Sequence, residues 1–186
     1  MLNQIITLLL QVIFGLLVSV CLLRMYLQYQ GITMSARSGN PLGPFVFALT
    51  DWLVLPLRRV IPPAGRWDLA SLVAAYLLEV VQLILFWLLA GGPGGLTLIP
   101  ILALFSLVHL ALSASSALLI VYVVLSWMQT DSPIADVVAR MVVPLLTPIR
   151  RVMPLLGGID LSPLILLLLL QIAGIVVGSL QVSLLT

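Results

Sequence analysis

Charge is scarce in this sequence, and charge of one kind is missing. Only 8% of its 186 residues are charged, none is lysine, and eight arginines against six acids leave a net charge of +2. A soluble domain carries ~25% charged residues. In their place stands an apolar fraction of 62% and a mean hydropathy of +1.29. A domain of this length still exposes much of its surface, so a water-soluble core has no room for that much apolar material. A soluble enzyme, a nucleic-acid module and a disordered scaffold are excluded, and the basic residues lie beside apolar runs instead of along a basic, aromatic stripe. The single cysteine, Cys21, forbids an intrachain disulfide and reads as a packing or lipid-facing residue. There is one histidine, no His/Cys/Asp spacing suited to a metal, no nucleophile beside a base, and no phosphate-binding glycine loop. No catalytic residue, metal or cofactor is expected, and the chain is read as not an enzyme. The glycines of 91–95 lack the flanks of a phosphate loop and suit a tight turn.

What the chain does have is long apolar runs. A membrane-crossing helix needs ~20 mostly apolar residues. Four stretches qualify: about 5–23, with Gln11 its only strongly polar member; 69–90, containing Glu79 and Gln82; about 98–127, with Pro100 near its start; and about 161–185. The first has neither a basic start nor a small-residue cleavage site, so it reads as a retained span. Arg24, Arg37, Arg58, Arg59 and Arg66 follow span one; Arg140, Arg150 and Arg151 follow span three. The other connections and both tails have no arginine. By the positive-inside rule, both arginine-bearing loops are cytoplasmic and both termini are outside. Trp67 and Trp127 fall where the cytoplasmic interface should be, and Trp87 near the opposite one.

The two arginine-bearing loops are copies. Pro56-Leu57-Arg58-Arg59-Val60-Ile61-Pro62 returns as Pro148-Ile149-Arg150-Arg151-Val152-Met153-Pro154, 92 residues later, and the same offset pairs Pro41 with Pro133, Gly65 with Gly157 and Asp68 with Asp160. Residues 1–92 and 93–186 are therefore read as two span-loop-span units. Two spans return the chain to its starting side, so the units share one orientation and a pseudo-twofold axis along the membrane normal is expected. Asn40-Pro41 and Ser132-Pro133 each place a capping residue before a proline suited to a first helical turn. After the second, Ile134, Val137, Val138, Met141, Val142, Leu145 and Leu146 recur at helical spacing, predicting an amphipathic interfacial helix over 133–146. Asp136 and Arg140 would pair on another face. The counterpart, 41–55, is more apolar all round, with Thr50 and Asp51 a narrow polar edge. Each helix is expected to stop near the paired arginines, where prolines remove backbone donors.

An Asn-Pro, a Pro-x-Arg-Arg-x-x-Pro core and a Gly-x-x-Asp or Gly-Gly-x-Asp leading into a span, given twice, resemble the YggT family, called YlmG in Gram-positive bacteria and plastids. In copy one the resemblance rests on Asn40, Pro41, Pro56, Arg58, Arg59, Pro62, Gly65 and Asp68. In copy two it rests on Pro133, Thr147, Pro148, Arg150, Arg151, Pro154, Gly157, Gly158, Asp160, Ser162 and Pro163. Ser132 departs from the Asn of copy one, and Leu69-Ala70-Ser71 replaces the Leu-Ser-Pro of copy two. The resemblance implies a small multi-pass protein of the bacterial inner membrane without enzymatic activity. It also implies links to osmotic or envelope stress, to cell division and nucleoid organisation, or, in plastids, to maturation of a haem-bearing cytochrome.

The candidate residues each carry two readings. Arg58, Arg59, Arg150 and Arg151 hold the loops inside and touch anionic headgroups, at ~1 kcal/mol each. Proline-braced guanidinium pairs also suit a carboxylate or phosphate held bidentately. Asp68 and Asp160 cap the spans that follow them, and the hypothesis is that they also accept from the arginines, tying loop to helix. Glu79, one repeat offset from Gln171 and one turn from Gln82, is either interhelical glue or a proton or ion site, and a Glu79–Gln171 hydrogen bond is expected near the axis. His109 packs with Ser106 or Ser113, or binds haem with a second protomer's histidine.

The fold class is thus all-α and integral to the membrane, with four spans in two parallel repeats, each with an interfacial helix. The function expected is an organising or assembly platform that engages anionic lipid headgroups, a membrane-protein partner or a second copy, with no direct nucleic-acid contact. An oligomeric channel or transporter using Glu79 is the alternative, and a haem-maturation factor the third.

Overall fold

The computed structural model describes residues 1–34, 42–92, 95–128, 132–152 and 160–185. Arg37, the Asn40-Pro41 cap, Pro93, Gly94, Met153, Pro154, Gly157 and Gly158 lie outside the described residues. Among the described residues there are six α-helices, in order α1 (Leu2–Tyr29), α2 (Leu42–Val60), α3 (Leu69–Leu89), α4 (Ile99–Trp127), α5 (Pro133–Val152) and α6 (Ser162–Leu185). A 3-10 turn, Leu96–Leu98, leads into α4. There is no strand among the described residues beyond an isolated bridge between Ala64 and Trp67.

α1, α3, α6 and the Leu96–Trp127 stretch are each long and apolar enough to cross a membrane. At 1.5 Å per residue the 21 residues of α3 reach about 31 Å, close to the thickness of a hydrocarbon core. α1 and α4, with 28 and 29 residues, are longer than the core requires. In α1 the excess lies beyond the apolar run ending at Leu23, so Arg24 is part of the helix and not of the loop after it.

α1 packs lengthwise on α3, and α4 on α6; α2 lies against both α1 and α3, and α5 against both α4 and α6. Ala70, Ser71, Ala74 and Ala75 line the buried face of α3, and such small residues let neighbouring backbones approach closely. Val18, Cys21 and Leu22 of α1, Val54 of α2 and Leu107 of α4 fill the core beside them. A second cluster joins Val20 and Leu27 of α1 and Val46 of α2 to Val137 and Met141 of α5. The third, Leu119, Val138, Val142 and Leu146, seats α5 on α4 beside Leu166, Leu167 and Leu170 of α6. The two halves meet chiefly where α3 packs on α4, with a smaller contact between α1 and α4.

α2 and α5 stop near the arginine pairs as expected, at Val60 and Val152, but run past residues 55 and 146 to get there, through Pro56 in α2 and through Pro144 and Pro148 in α5. A proline inside a helix leaves the carbonyl four residues earlier without its donor. All three prolines are exposed, so water or headgroups can satisfy those carbonyls and the helix continues. Asp136 and Arg140 are both exposed and do not form the expected ion pair, consistent with the few tenths of a kcal/mol such a pair contributes. Gly43 is required by a close approach: a Cβ there would sit 2.1 Å from the carbonyl oxygen of Met34.

Candidate functional site

The polar residues gather where α1 and α4 end and α3 and α6 begin. Asp68 is the N-cap of α3: it accepts from the backbone N–H of Ser71 at 3.4 Å and from its hydroxyl at 2.6 Å. α2 brings Arg58 to the same carboxylate. Its Nε donates to Oδ1 at 3.3 Å and its Nη2 to Oδ2 at 2.5 Å, a two-pronged contact, while Nη2 also reaches Gln28 Oε1 of α1 at 2.9 Å. Asp68 is wholly buried. Burial alone would push its carboxyl up; the bonds from Arg58 and Ser71 outweigh it and hold the carboxyl below the usual carboxylate range.

Arg24, also buried, completes the cluster. Its Nη1 donates to Thr50 Oγ1 at 2.6 Å and to Asp51 Oδ1 at 2.7 Å, both on α2, and its guanidinium lies 4.9 Å from the Phe47 ring centroid. Its Nε, 3.7 Å from Asp68 Oδ2, is buried without a hydrogen bond. Arg24 and Arg58 with Asp51 and Asp68 make a neutral set of four, which is how charge can be kept out of water at an affordable cost. Three helices are pinned there. Arg24, expected to follow span one as one topological charge among several, is instead a buried residue of α1. The signal was present: a single base late in span one, and a single acid on the otherwise apolar face of the helix that follows.

The second half holds a simpler version. Arg150 on α5 donates from Nε at 2.9 Å and Nη2 at 2.6 Å to one oxygen, Oδ2, of Asp160, while Asp160 Oδ1 accepts from the Ser162 backbone at the start of α6 at 3.0 Å. Nη2 also donates to the Tyr122 hydroxyl of α4 at 3.3 Å. The side chains are 38% and 29% exposed, against 31% and zero for Arg58 and Asp68. Burial raises the Asp160 carboxyl, but the bonds from Ser162 and then Arg150 bring it below the usual range.

The structure separates the members of each arginine pair. Arg58 and Arg150 are tied to aspartates, whereas Arg59 and Arg151 are exposed and make no ion pair among the described residues; Arg66 and Arg140 are exposed too. Glu79 and Gln82 are buried on one face of α3, but Glu79 does not meet Gln171. The polar side chain beside Glu79 is Ser106 of α4, because the halves join through α3 and α4 and not through α3 and α6. Gln171 is exposed on α6 and makes no hydrogen bond among the described residues. His109 lies over Gly174 and Gly178 of α6, its ring 3.9 and 3.5 Å from where their Cβ atoms would be. No group of three potential metal-binding side chains occurs among the described residues.

Four apolar spanning helices, stapled at one end by arginine-aspartate contacts that run between spans and the short helices joining them, define a multi-pass helical membrane protein. The sequence profile of the CCB3/YggT family matches residues 3–89 and 101–181. The chain belongs to that family. It is 37% identical over 170 residues to "Uncharacterized protein YggT" of Escherichia coli (strain K12), covering 89% of this chain and 85% of that one. It is 35% identical over 176 residues to "Uncharacterized protein in proC 3'region" of Vibrio alginolyticus, covering 91% of each. An uncharacterized protein of Pseudomonas aeruginosa is 38% identical over 172 residues, 90% of this chain and 85% of its own length. No solved structure matches the chain.

Proposed function

We propose that this protein is a non-catalytic platform in the bacterial inner membrane, presenting free arginines on rigid helices to anionic headgroups or to an acidic partner. The observation that carries the proposal is the split within each arginine pair. Arg58 and Arg150 are spent on internal aspartates, which braces α2 and α5 against the spans. Arg59 and Arg151, one residue further on, remain exposed at the ends of those braced helices.

In this reading α2 and α5 are amphipathic helices lying in the cytoplasmic interface, and the two halves are like-oriented repeats. The gathering of all eight arginines in the two loops supports a cytoplasmic side for both helices. A guanidinium fixed on a braced helix loses less freedom on meeting a phosphate than one on a loose loop, and each basic residue near an anionic leaflet contributes ~1 kcal/mol. Glu79, closed against Ser106, acts as a contact between α3 and α4 and not as a transport site. Roles in envelope stress or cell division would follow from what the platform recruits.

Native mass spectrometry of protein extracted with its lipids tests this. Arg59→Gln with Arg151→Gln should strip most co-purifying anionic lipid or partner, while Glu79→Gln should leave it in place. Retention of the same lipids and partners by the double variant, or ion flux in liposomes that Glu79→Gln abolishes, would overturn the platform in favour of a transporter.

A further inference from the structure

The contact between the two halves is one-sided. The second span of the first half, α3, packs on the first span of the second half, α4, yet no comparable packing joins α6 to α1. An interface between different faces of like units, used once, leaves one face of each kind open, and a second copy can fill both. The open faces are visible here. α1 has no buried residue before Val18, and along α6 only Ser162 is buried among the described side chains.

Exposed apolar side chains on a spanning helix need no partner but lipid. Exposed glutamines do, since an amide in hydrocarbon without a hydrogen-bond partner is costly and draws helices together. Each open face carries one. Gln171 on α6 and Gln11 on α1 are both exposed, and neither makes a hydrogen bond among the described residues. Gln11 also lines a shallow depression of about 320 Å³ with Asn3, Gln4, Thr7 and Leu8.

Gln171 repeats the position of Glu79, and Gln11 falls at the repeat position of Ala103, about one turn before Ser106. Gln171 is 92 residues after Glu79, the offset that relates the two arginine motifs. Ser106, beside Glu79, lies about two turns into α4, and Gln11 about two and a half turns into α1. Four alternating spans run α1 and α4 in the same direction, so Gln11 and Ser106 sit at similar depths.

We propose that a second copy of this chain packs its α6 on α1, repeating the α3–α4 contact between chains, with Gln171 of one copy hydrogen-bonded to Gln11 of the other. The incoming helix lies along the polar edge that Asn3, Thr7 and Gln11 make on α1, and the pairing removes both amides from lipid. The occupant is a copy of the chain because the surface offered by α6 is the counterpart, at the same sequence offset, of the surface that α3 already presents to α4.

The test uses full-length protein in native membranes with Cys21→Ala as background. Two differently tagged single-cysteine variants, Gln11→Cys and Gln171→Cys, are co-expressed and oxidised. A disulfide adduct carrying both tags is expected, with little adduct from either variant alone. Sedimentation in mild detergent supplies the second reading: the parent chain should be oligomeric, and Gln171→Leu should lower the oligomer fraction several-fold while remaining folded, because residue 171 faces outward in the single chain. A monomeric parent chain, adducts only between like positions, or an oligomer indifferent to Gln171→Leu would each overturn the proposal.

Discussion

Arg58–Asp68 and Arg150–Asp160 are the same contact, 92 residues apart, in two different surroundings. The first is roofed by Arg24 from α1, with Thr50 and Asp51 of α2 beneath it, and its carboxylate has no exposure. The second lies open, its carboxylate 29% exposed, with only Tyr122 added from the preceding span. The same offset from Thr50 and Asp51 leads to Val142 and Val143, and α4 contains no arginine. Where copy one sets Thr50 and Asp51 against a buried arginine, copy two has two valines and no arginine from the preceding span. A motif conserved between halves therefore specifies the joint between loop and span, and its neighbours decide how strong that joint is. Two charges in water attract weakly; the same charges, once dehydrated, cannot lose a partner cheaply.

That contrast can be broken most sharply at Asp68. Asp68→Asn leaves the buried Arg24 and the part-buried Arg58 without their shared countercharge and should cost ~3–5 kcal/mol of stability, read by thermal unfolding in detergent. Expression without a cooperative transition would fit; an unchanged midpoint would show that the burial does not matter.

Arg24→Leu comes next, at ~2–3 kcal/mol, below the usual range for a broken buried pair because Asp51 is 40% exposed and can recover water. Adding Thr50→Val and Asp51→Val gives the first half the apolar lining of the second, and most of that loss should return. If the triple variant is less stable than Arg24→Leu alone, the equivalence of the two halves at these positions is wrong.

Asp160→Asn should cost only ~0.2–1 kcal/mol, as for an exposed pair. Its effect should show as faster protease cleavage near residues 152–160 and not as a lower unfolding temperature.

The smallest effect is the response to mild acid. Both carboxyls titrate below the usual range, so the stability they confer is complete above the unfolded-state value of about 3.9 and is lost only as pH falls through the lower folded-state values. Unfolding temperature should be flat between pH 8 and 5, with loss beginning below about pH 4. A decline already under way at pH 6 would mean that neither carboxyl is held down as described.

Much of this was open to inspection in the chain alone. Apolar runs of the right length located four spans, since lipid leaves few alternatives to a helix in that composition, and the doubled proline-arginine motif marked the family. The extent of α2 and α5 was less legible. A proline forbids one hydrogen bond, but whether the helix stops depends on whether the freed carbonyl faces solvent. Arg24 illustrates the harder case: its place at the edge of an apolar run suits either a loop or a buried turn of helix.

Composition and spacing by themselves determined that the chain is a four-span helical membrane protein with a duplicated arginine motif, because dehydration of the backbone and hydrophobic length are properties of local sequence. Tertiary structure alone decided which arginine of each pair is engaged, that Arg24 joins the buried set, and that Glu79 meets Ser106 instead of Gln171. Partners in an ion pair or a hydrogen bond are chosen by which helices pack together, and in an apolar sequence many packings satisfy the same pattern.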